Sequence, residues 1–349
     1  MLLTDEQDSL AALARDWFHT RTDLGAARAR YDDRSAGDAA AAGDADAARE
    51  LGIVDLLTAE AGGTHVDLAL VAEAAGYAGS PIPVVPMALA CWIREHAGWR
   101  PGRCGGVLLA EGGAPLVAAP TADGLALRGS VPWFWGAPSG ELVAVAAGPD
   151  RAACYVALLD GHAATRTPAS AFDLSRPWCT LTVDVTVPAG CWIGGQDAAR
   201  LAAALADAWA LHTAADAVGA ADRSLALTLT HVRDREQFGR RIGTFQAVKH
   251  RCADMALAVE AARATTRAAA RALDTATGEQ QAAVAVAAAA AFTGAAASRT
   301  ASSALQLHGG MGFTWEHDLH LFLRRAKADE LIAGTPRHHQ ERLLDLVTG

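Results

Sequence analysis

The longest run of helical periodicity, from about Ala198 to Leu307, constrains the architecture more than any other part of the sequence. Apolar residues recur at helical spacing over roughly 198–231 and 245–275, and a third stretch, 279–307, is strongly alanine-rich. Small alanine faces let long antiparallel helices approach closely, so this region is expected to form a bundle. Shorter helices are expected from Trp315 and from Pro336. The periodicity breaks at Arg235-Glu236-Gln237-Phe238-Gly239-Arg240-Arg241-Ile242-Gly243-Thr244-Phe245-Gln246. Glycine ends the preceding helix and allows backbone conformations that other residues avoid. Arg235 then falls at a helix end, with a planar, permanently charged fork suited to phosphate oxygens. The competing reading is a solvated basic corner between two helices.

The remainder divides by texture. Thr4-Asp5-Glu6-Gln7 fits a capping box ahead of Leu10, Leu13, Ala14, Trp17 and Phe18. Residues 33–46 look like a loop or weak helix. Val66 to Tyr77 reads as a helix ended by Gly79, and the Pro81, Pro83 and Pro86 cluster interrupts regular helix before an apolar helix from Pro86 to His96. From Gly106 short apolar runs alternate with Gly, Pro and Asp, and Leu181 to Val187 alternates with period two, as a half-buried strand should. The expected fold is therefore α+β. It has an N-terminal helical domain over 1–104, a middle β-barrel-like domain over 105–195 and a C-terminal four-helix bundle over 196–349.

A chain of 349 residues, 51% hydrophobic and 20% charged, suits a soluble globular protein. A formal charge of -9 argues against nucleic acid or an anionic membrane as the main partner. The six cysteines show no metal-ligand spacing and read as buried thiols in a reducing compartment. No signal peptide is evident, and the apolar run Gln281 to Gly294 reads as too short to span a bilayer, so a cytoplasmic location is the default. His317 with His320, and His338 with His339, lack an accompanying cysteine or carboxylate cluster. They read as helical surface histidines rather than metal ligands. Phe313 and Trp315 read as packing residues.

Helices, then strands, then a bundle carrying two particular motifs resembles the FAD-dependent acyl-CoA dehydrogenase family over essentially the whole chain. The first motif is Arg235-Glu236-Gln237-Phe238-Gly239. The second is Gln306-Leu307-His308-Gly309-Gly310-Met311-Gly312-Phe313-Thr314, followed by Leu323-Arg324-Arg325-Ala326-Lys327. In this family FAD crosses a dimer interface, its ring in one subunit and its tail on the neighbour. The resemblance implies that Arg235, Gln237, Phe238, Ile242 and Gln246 bind adenosine and diphosphate, and that Gln306, Leu307, Gly309 and Gly310 form the loop facing the diphosphate.

The flavin half departs from that pattern. Relatives carry Thr-Glu-Pro and then Gly-Ser-Asp where this chain has Ala110-Glu111-Gly112-Gly113-Ala114-Pro115. They also place a hydroxyl residue where Trp135 closes the run Trp133-Phe134-Trp135. Either the indole fills the place of the flavin ring, or the loop shifts and Trp135 stacks elsewhere. The base is missing too. Ala333, in Ile332-Ala333-Gly334-Thr335, stands at one family position for the glutamate, and Trp209 stands at the other. Asp329 and Glu330 lie nearby but are displaced.

The resemblance implies the short, degenerate subunit of a heteromeric acyl-CoA dehydrogenase. Its partner would be a paralogous subunit carrying the flavin pocket and the base, with an acyl-CoA substrate and an electron-transfer flavoprotein. The alternatives are a homomeric dehydrogenase with a non-standard base and a non-catalytic scaffold of the same fold.

Overall fold

The computed structural model describes residues 3–32, 37–109, 116–137, 139–275 and 278–348. Five helices open the chain: α1 (Asp5–Arg21), α2 (Leu24–Asp32), α3 (Gly37–Glu50), α4 (His65–Ala78) and α5 (Val84–His96). Thr4 and Gln7 form the expected capping box, which satisfies two backbone N–H groups that the first turn leaves open. Gly79 caps α4 in the left-handed region, at φ 70°. The stretch read as a loop or weak helix is helix from Gly37, while residues 33–36 lie outside the described set. Helix α5 starts two residues before Pro86, whose missing N–H falls in the first turn where no helical partner exists.

Eight strands follow: β1 (Cys104–Leu108), β2 (Leu116–Thr121), β3 (Gly124–Phe134), β4 (Glu141–Ala147), β5 (Cys154–Asp160), β6 (Thr165–Pro168), β7 (Cys179–Val187) and β8 (Trp192–Gly194). Their order is β6-β7-β3-β2-β4-β5-β8, with β1 also pairing β4 in parallel. Leu108, Leu116, Leu127, Leu142, Leu159 and Leu181 share one buried cluster, so the sheet folds over on itself. The hydrogen-bonded path stays open between β6 and β8, which makes the domain barrel-like rather than closed. The ladder between β3 and β7 shifts register between Val131 and Phe134, and that bulge turns the Trp133 region out of the sheet.

The C-terminal part holds α6 (Gly195–Asp234), a hairpin of β9 (Glu236–Gln237) and β10 (Arg240–Arg241), then α7 (Gln246–Thr275), α8 (Glu279–His308), α9 (Leu319–Ile332) and α10 (Pro336–Thr348). Alanines such as Ala287, Ala297, Ala301 and Ala304 on α8 are buried against neighbouring helices, as their size allows. The stretch Glu279–Phe313 is in fact long and apolar enough to cross a membrane, contrary to the shorter run read from sequence; 67% of its most apolar window is buried inside the bundle. All six cysteines are free, but only Cys91, Cys104 and Cys252 are buried, and the other three are half-buried.

Helices α4 and α6 meet backbone to backbone. A Cβ added at Gly76 would lie 2.0 Å from the Asp216 carbonyl oxygen, and one at Gly219 would lie 2.0 Å from that of Glu73. No side chain can yield there, so the close crossing requires glycine at both positions. A Gly219→Ala change is expected to destabilise the protein by about 1–3 kcal/mol through overpacking, read as a lowered midpoint in thermal or denaturant unfolding.

Candidate functional site

Arg235 caps α6 with extended geometry, and its N–H bonds the His231 carbonyl. The chain then turns back on itself. Gln237 lies opposite Arg240 and Glu236 opposite Arg241, with Phe238 and Gly239 between them at φ 55° and 72°. Two successive positive φ values define the tight hairpin turn that suits twisted strands. Glycine adopts this conformation freely, whereas a phenylalanine does so at a cost of roughly 1–3 kcal/mol. The turn leaves the Phe238 ring 91% exposed. Phe245 meets Phe238 edge-on at 6.2 Å and carries the Arg240 guanidinium over its face at 4.1 Å. Gln246 begins α7, and Ile242 is half-buried beneath the hairpin.

The second motif closes α8 beside this hairpin. Gln306 and Leu307 occupy its last turn, Gly309 caps it at φ 60°, and Gly310 follows in a short 3-10 turn. Nothing lies within 4 Å of where a Cβ would stand on Gly309 or Gly310, so both backbones face open space. The two motifs are joined by imidazoles: His231 of α6 stacks on His308 of α8 at 4.3 Å, and His317 meets His308 edge-on at 4.8 Å. Burial, reinforced by the neighbouring histidines, lowers the His308 pKa to about 4 and keeps it neutral. Phe313, expected to pack, is 74% exposed beside the glycines, and Trp315 is exposed too.

A second feature lies between the β domain and the bundle. This cleft of about 450 Å³ is lined by Trp133, Trp135, Phe172, Trp178, Trp209 and Leu331, among others. Trp135 turns inward: its indole N–H donates to the Pro81 carbonyl at 3.0 Å, and the Arg176 guanidinium covers its ring at 4.4 Å. Trp209 lines the same cleft with its indole. Ala333 ends α9 and is buried outside the cleft lining, where Ile332 stands instead. The segment Ala110–Pro115 lies outside the described residues.

Behind the cleft, Trp135, Trp209, Arg176 and Asp329 close on one another and leave no space for a water molecule. This wall belongs to a buried network. Arg325 bonds both oxygens of Asp216, at 2.7 and 2.6 Å, and also the Ser80 carbonyl and the Ser175 hydroxyl. Arg176 reaches Asp216 at 2.9 Å, Asp329 at 2.6 Å and Asp173 at 3.3 Å. Burial alone would raise the Asp216 pKa, but Arg325 and Arg176 outweigh it and hold it at about 2. Burial raises Asp329 well above the usual carboxylate range despite Arg176, and the Asp216 charge adds to the shift.

Neither displaced acid reaches the cleft. Glu330 is bonded by Ser298 and by Lys327 at 2.6 Å, on the α8 side of its helix. Sequence reading missed Asp173, Ser175, Arg176 and Trp178, which lie between β6 and β7. A cluster of Asp, Ser, Arg and Trp that breaks strand alternation inside a β domain was the available signal. His320 and His339, expected at the surface, are buried: His320 stacks on Trp315 at 5.0 Å, and His339 packs beneath the end of α9. Among the described residues no group of three His, Cys, Asp or Glu could hold a metal ion.

A helical domain, a folded-over sheet and a bundle presenting a hairpin beside a double-glycine loop together define a flavin-dependent dehydrogenase layout. Residues 200–344 match the family described as acyl-CoA dehydrogenase, C-terminal domain. Acyl-CoA dehydrogenase IpdE2 of Mycolicibacterium smegmatis is 42% identical over 139 residues, covering 40% of this chain and 42% of that protein. Acyl-CoA dehydrogenase FadE34 of Mycobacterium tuberculosis is 32% identical over 346 residues, covering 93% of this chain and 45% of its own length. Among solved structures, a variant of the Tcur3481-Tcur3483 steroid acyl-CoA dehydrogenase superposes with a TM-score of 0.82 at 25% identity, covering 98% of each chain. The chain belongs to the acyl-CoA dehydrogenase family, and it spans less than half the length of these two curated relatives. The family's cofactor is FAD. The residues present suit its tail in chemistry: Arg235 is exposed with no ion pair among the described residues, and the backbones of Gly309 and Gly310 are open.

The buried carboxylates make opposite predictions. Asp216 has a folded pKa below its ordinary value, so its stabilisation is complete above about pH 4 and is lost as pH falls toward 2. Asp329 has a raised one, so its stabilisation is complete in acid and shrinks as pH rises. Asp216→Asn is expected to cost about 3–5 kcal/mol at neutral pH. Asp329→Asn, which mimics the protonated acid, is expected to gain stability relative to the parent as pH rises above about 4. Denaturant titrations across pH check both signs.

Proposed function

We propose that this chain is the non-catalytic subunit of a heteromeric acyl-CoA dehydrogenase, supplying the adenosine and diphosphate side of FAD to a flavin pocket in a paralogous partner. The observation that carries this reading is the contrast between the two surfaces. The hairpin and glycine loop leave a cation, two amides and two backbones open to solvent. The cleft, by comparison, offers Asp173 alone as an ionisable lining residue among the described residues. Its Oδ1 accepts from the Ser175 N–H and hydroxyl, and its Oδ2 accepts from Arg176. Such a carboxylate cannot take a proton from carbon.

When bound, FAD supplies hydride acceptance for the α,β-dehydrogenation of a CoA thioester. This chain's residues hold and orient. Arg235 offsets the diphosphate charge through charge-assisted hydrogen bonds, and Phe238 and Ile242 give apolar contact to the adenosine. Gln237, Gln246 and Gln306 offer amide donors and acceptors, while Gly309, Gly310 and the adjoining Leu307 let backbone groups approach the phosphate oxygens. Trp209 and Ala333 can accept no proton at the two base positions, so the base is assigned to the partner. The acyl-CoA and an electron-transfer flavoprotein then engage the assembly in the cytoplasm.

Two comparisons support a paralogous partner. The solved steroid acyl-CoA dehydrogenase carries a two-part name, and FadE34 has more than half of its length beyond the region that matches this chain. A homomeric enzyme using Asp329 or Glu330 is disfavoured because both are engaged away from the cleft.

Co-expression with a paralogous acyl-CoA dehydrogenase is expected to give a flavin-containing mixed assembly, with little or no flavin in this chain alone. Arg235→Ala in that assembly is expected to weaken FAD retention roughly 10- to 100-fold, the loss of one or two hydrogen bonds to a charged group. Equal retention by dialysis and visible absorbance would remove Arg235 from the site.

A further inference from the structure

We propose that a pocket on the far side of the hairpin from the cofactor-tail residues binds a small phosphate monoester, its head held by Arg233, Arg241 and Lys249 and its apolar body seated between the two helices below. This goes beyond the tail-binding role and does not rest on it. The pocket holds about 380 Å³ between the end of α6 and the start of α7. That volume lies within the roughly 300–1,000 Å³ of sites that take small ligands. Leu229, Val232 and Arg233 follow at i, i+3 and i+4, so one face of α6 makes one wall. Val248, Lys249 and Cys252 make the opposite wall from α7, Cys252 standing one turn on from the other two.

The hairpin keeps this pocket apart from the tail surface. Side chains along a strand alternate between its two faces. Gln237 and its opposite residue Arg240 therefore share one face, and Glu236 and Arg241 share the other. Arg240 lies over the Phe245 ring, whereas Arg241 lines the pocket. The two sides of α7 divide in the same way. At about 3.6 residues per turn, Val248 and Cys252 fall on the side of the helix away from Gln246. None of the residues matched to the cofactor tail lines the pocket.

The charges select the ligand. No acid stands among the described residues that line the space. Arg233 and Lys249 have no ion pair among the described residues, and Arg241 has only Glu236, at 4.0 Å and largely in water. Burial pushes the Cys252 thiol up, so it stays neutral beside them. Three like charges facing one space repel each other, and an anion placed between them reverses that cost. A phosphate monoester carries about -1.5 to -2 at neutral pH, and so answers several cations where a carboxylate answers one. The apolar groups of Leu229, Val232 and Val248 give nothing to a bare ion, but they can cover a body attached to it.

The backbone beneath is set before a ligand arrives. A Cβ on Gly243 would lie 2.7 Å from the Val232 carbonyl oxygen, so glycine lets the 3-10 turn Ile242–Thr244 close onto α6. The Thr244 hydroxyl donates to the Arg241 carbonyl at 2.6 Å, and the Ile242 N–H donates to the Arg235 carbonyl at 2.9 Å. Both bonds tie the base of the hairpin to that turn. A fixed backbone reduces the ordering cost of binding.

The test is isothermal titration calorimetry of the purified full-length chain, alone and in the mixed assembly. Phenyl phosphate is the probe, with inorganic phosphate and benzoate as comparators. Saturable binding of phenyl phosphate is expected, tighter than that of either comparator and weakened by salt. Arg233→Gln and Lys249→Gln are each expected to weaken it about tenfold, the loss of one hydrogen bond to a charged group. An unchanged melting temperature checks the folding of both variants. Arg235→Ala is expected to leave the binding unchanged. The proposal is overturned by the absence of saturable binding, by a comparator that binds as tightly as phenyl phosphate, or by either glutamine variant matching the parent. Loss on Arg235→Ala would return the pocket to the tail surface, and loss on assembly would make it a subunit interface; either result also overturns it. FAD content is measured on the same samples, so the tail-binding role stands or falls separately.

Discussion

The Arg325 guanidinium, wholly buried and bidentate on Asp216, is the contact on which the arrangement of the chain depends. Removing two such charges from water is expensive, and their mutual attraction offsets the cost only when every remaining donor is satisfied. Here the surplus N–H groups find the Ser80 carbonyl between α4 and α5 and the Ser175 hydroxyl between β6 and β7. One side chain from α9 thus fixes the helical region, the sheet and the bundle against each other. The second guanidinium, Arg176, adds Asp173 and Asp329 to the cluster. Two cations against three acids would leave an excess negative charge in the interior; burial raises the Asp329 pKa, the direction that reduces this excess.

That network also sets the shape of the cleft. Asp216 reaches it because α4 and α6 touch at Gly76 and Gly219, which brings Ser80 within reach of the same arginine. Arg176, drawn inward by three carboxylates, offers its flat face to Trp135. The indole follows it inward and finds the Pro81 carbonyl. What reads in sequence as an obstruction becomes a wall, and an open space survives in front of it.

The long bundle helices were readable because long apolar periodicity and glycine punctuation are local signals; α7 and α8 begin and end within a residue of expectation, whereas α6 extends three residues further at each end and α9 begins four residues after Trp315. The strands were less visible. β2, β6 and β8 are short or lie at edges, and their burial depends on partners distant in sequence. The break at Arg235–Gln246 was legible as a corner between helices, but not that it forms a hairpin at Phe238 and Gly239 with the ring projecting outward. The polar core was out of reach, since Asp216, Arg176 and Arg325 come from three separate regions and each alone resembles a surface residue. His320 and His339 misled for the same reason: a histidine within a polar helix gives no sign of the aromatic or helix end that covers it.

The two surfaces differ in what they demand of a partner. A hairpin that holds Phe238 exposed against its backbone preference stores strain that the folded chain alone does not relieve. In the proposed assembly, burying that ring against an adenosine and a neighbouring subunit would recover apolar free energy on the order of 2 kcal/mol, by side-chain transfer values. Arg235, without an ion pair among the described residues, would gain in the same event, because its charge would meet phosphate as water leaves. The cleft is the reverse case, with its charges neutralised internally and its aromatic walls already locked. Nothing in it requires another protein to become ordered.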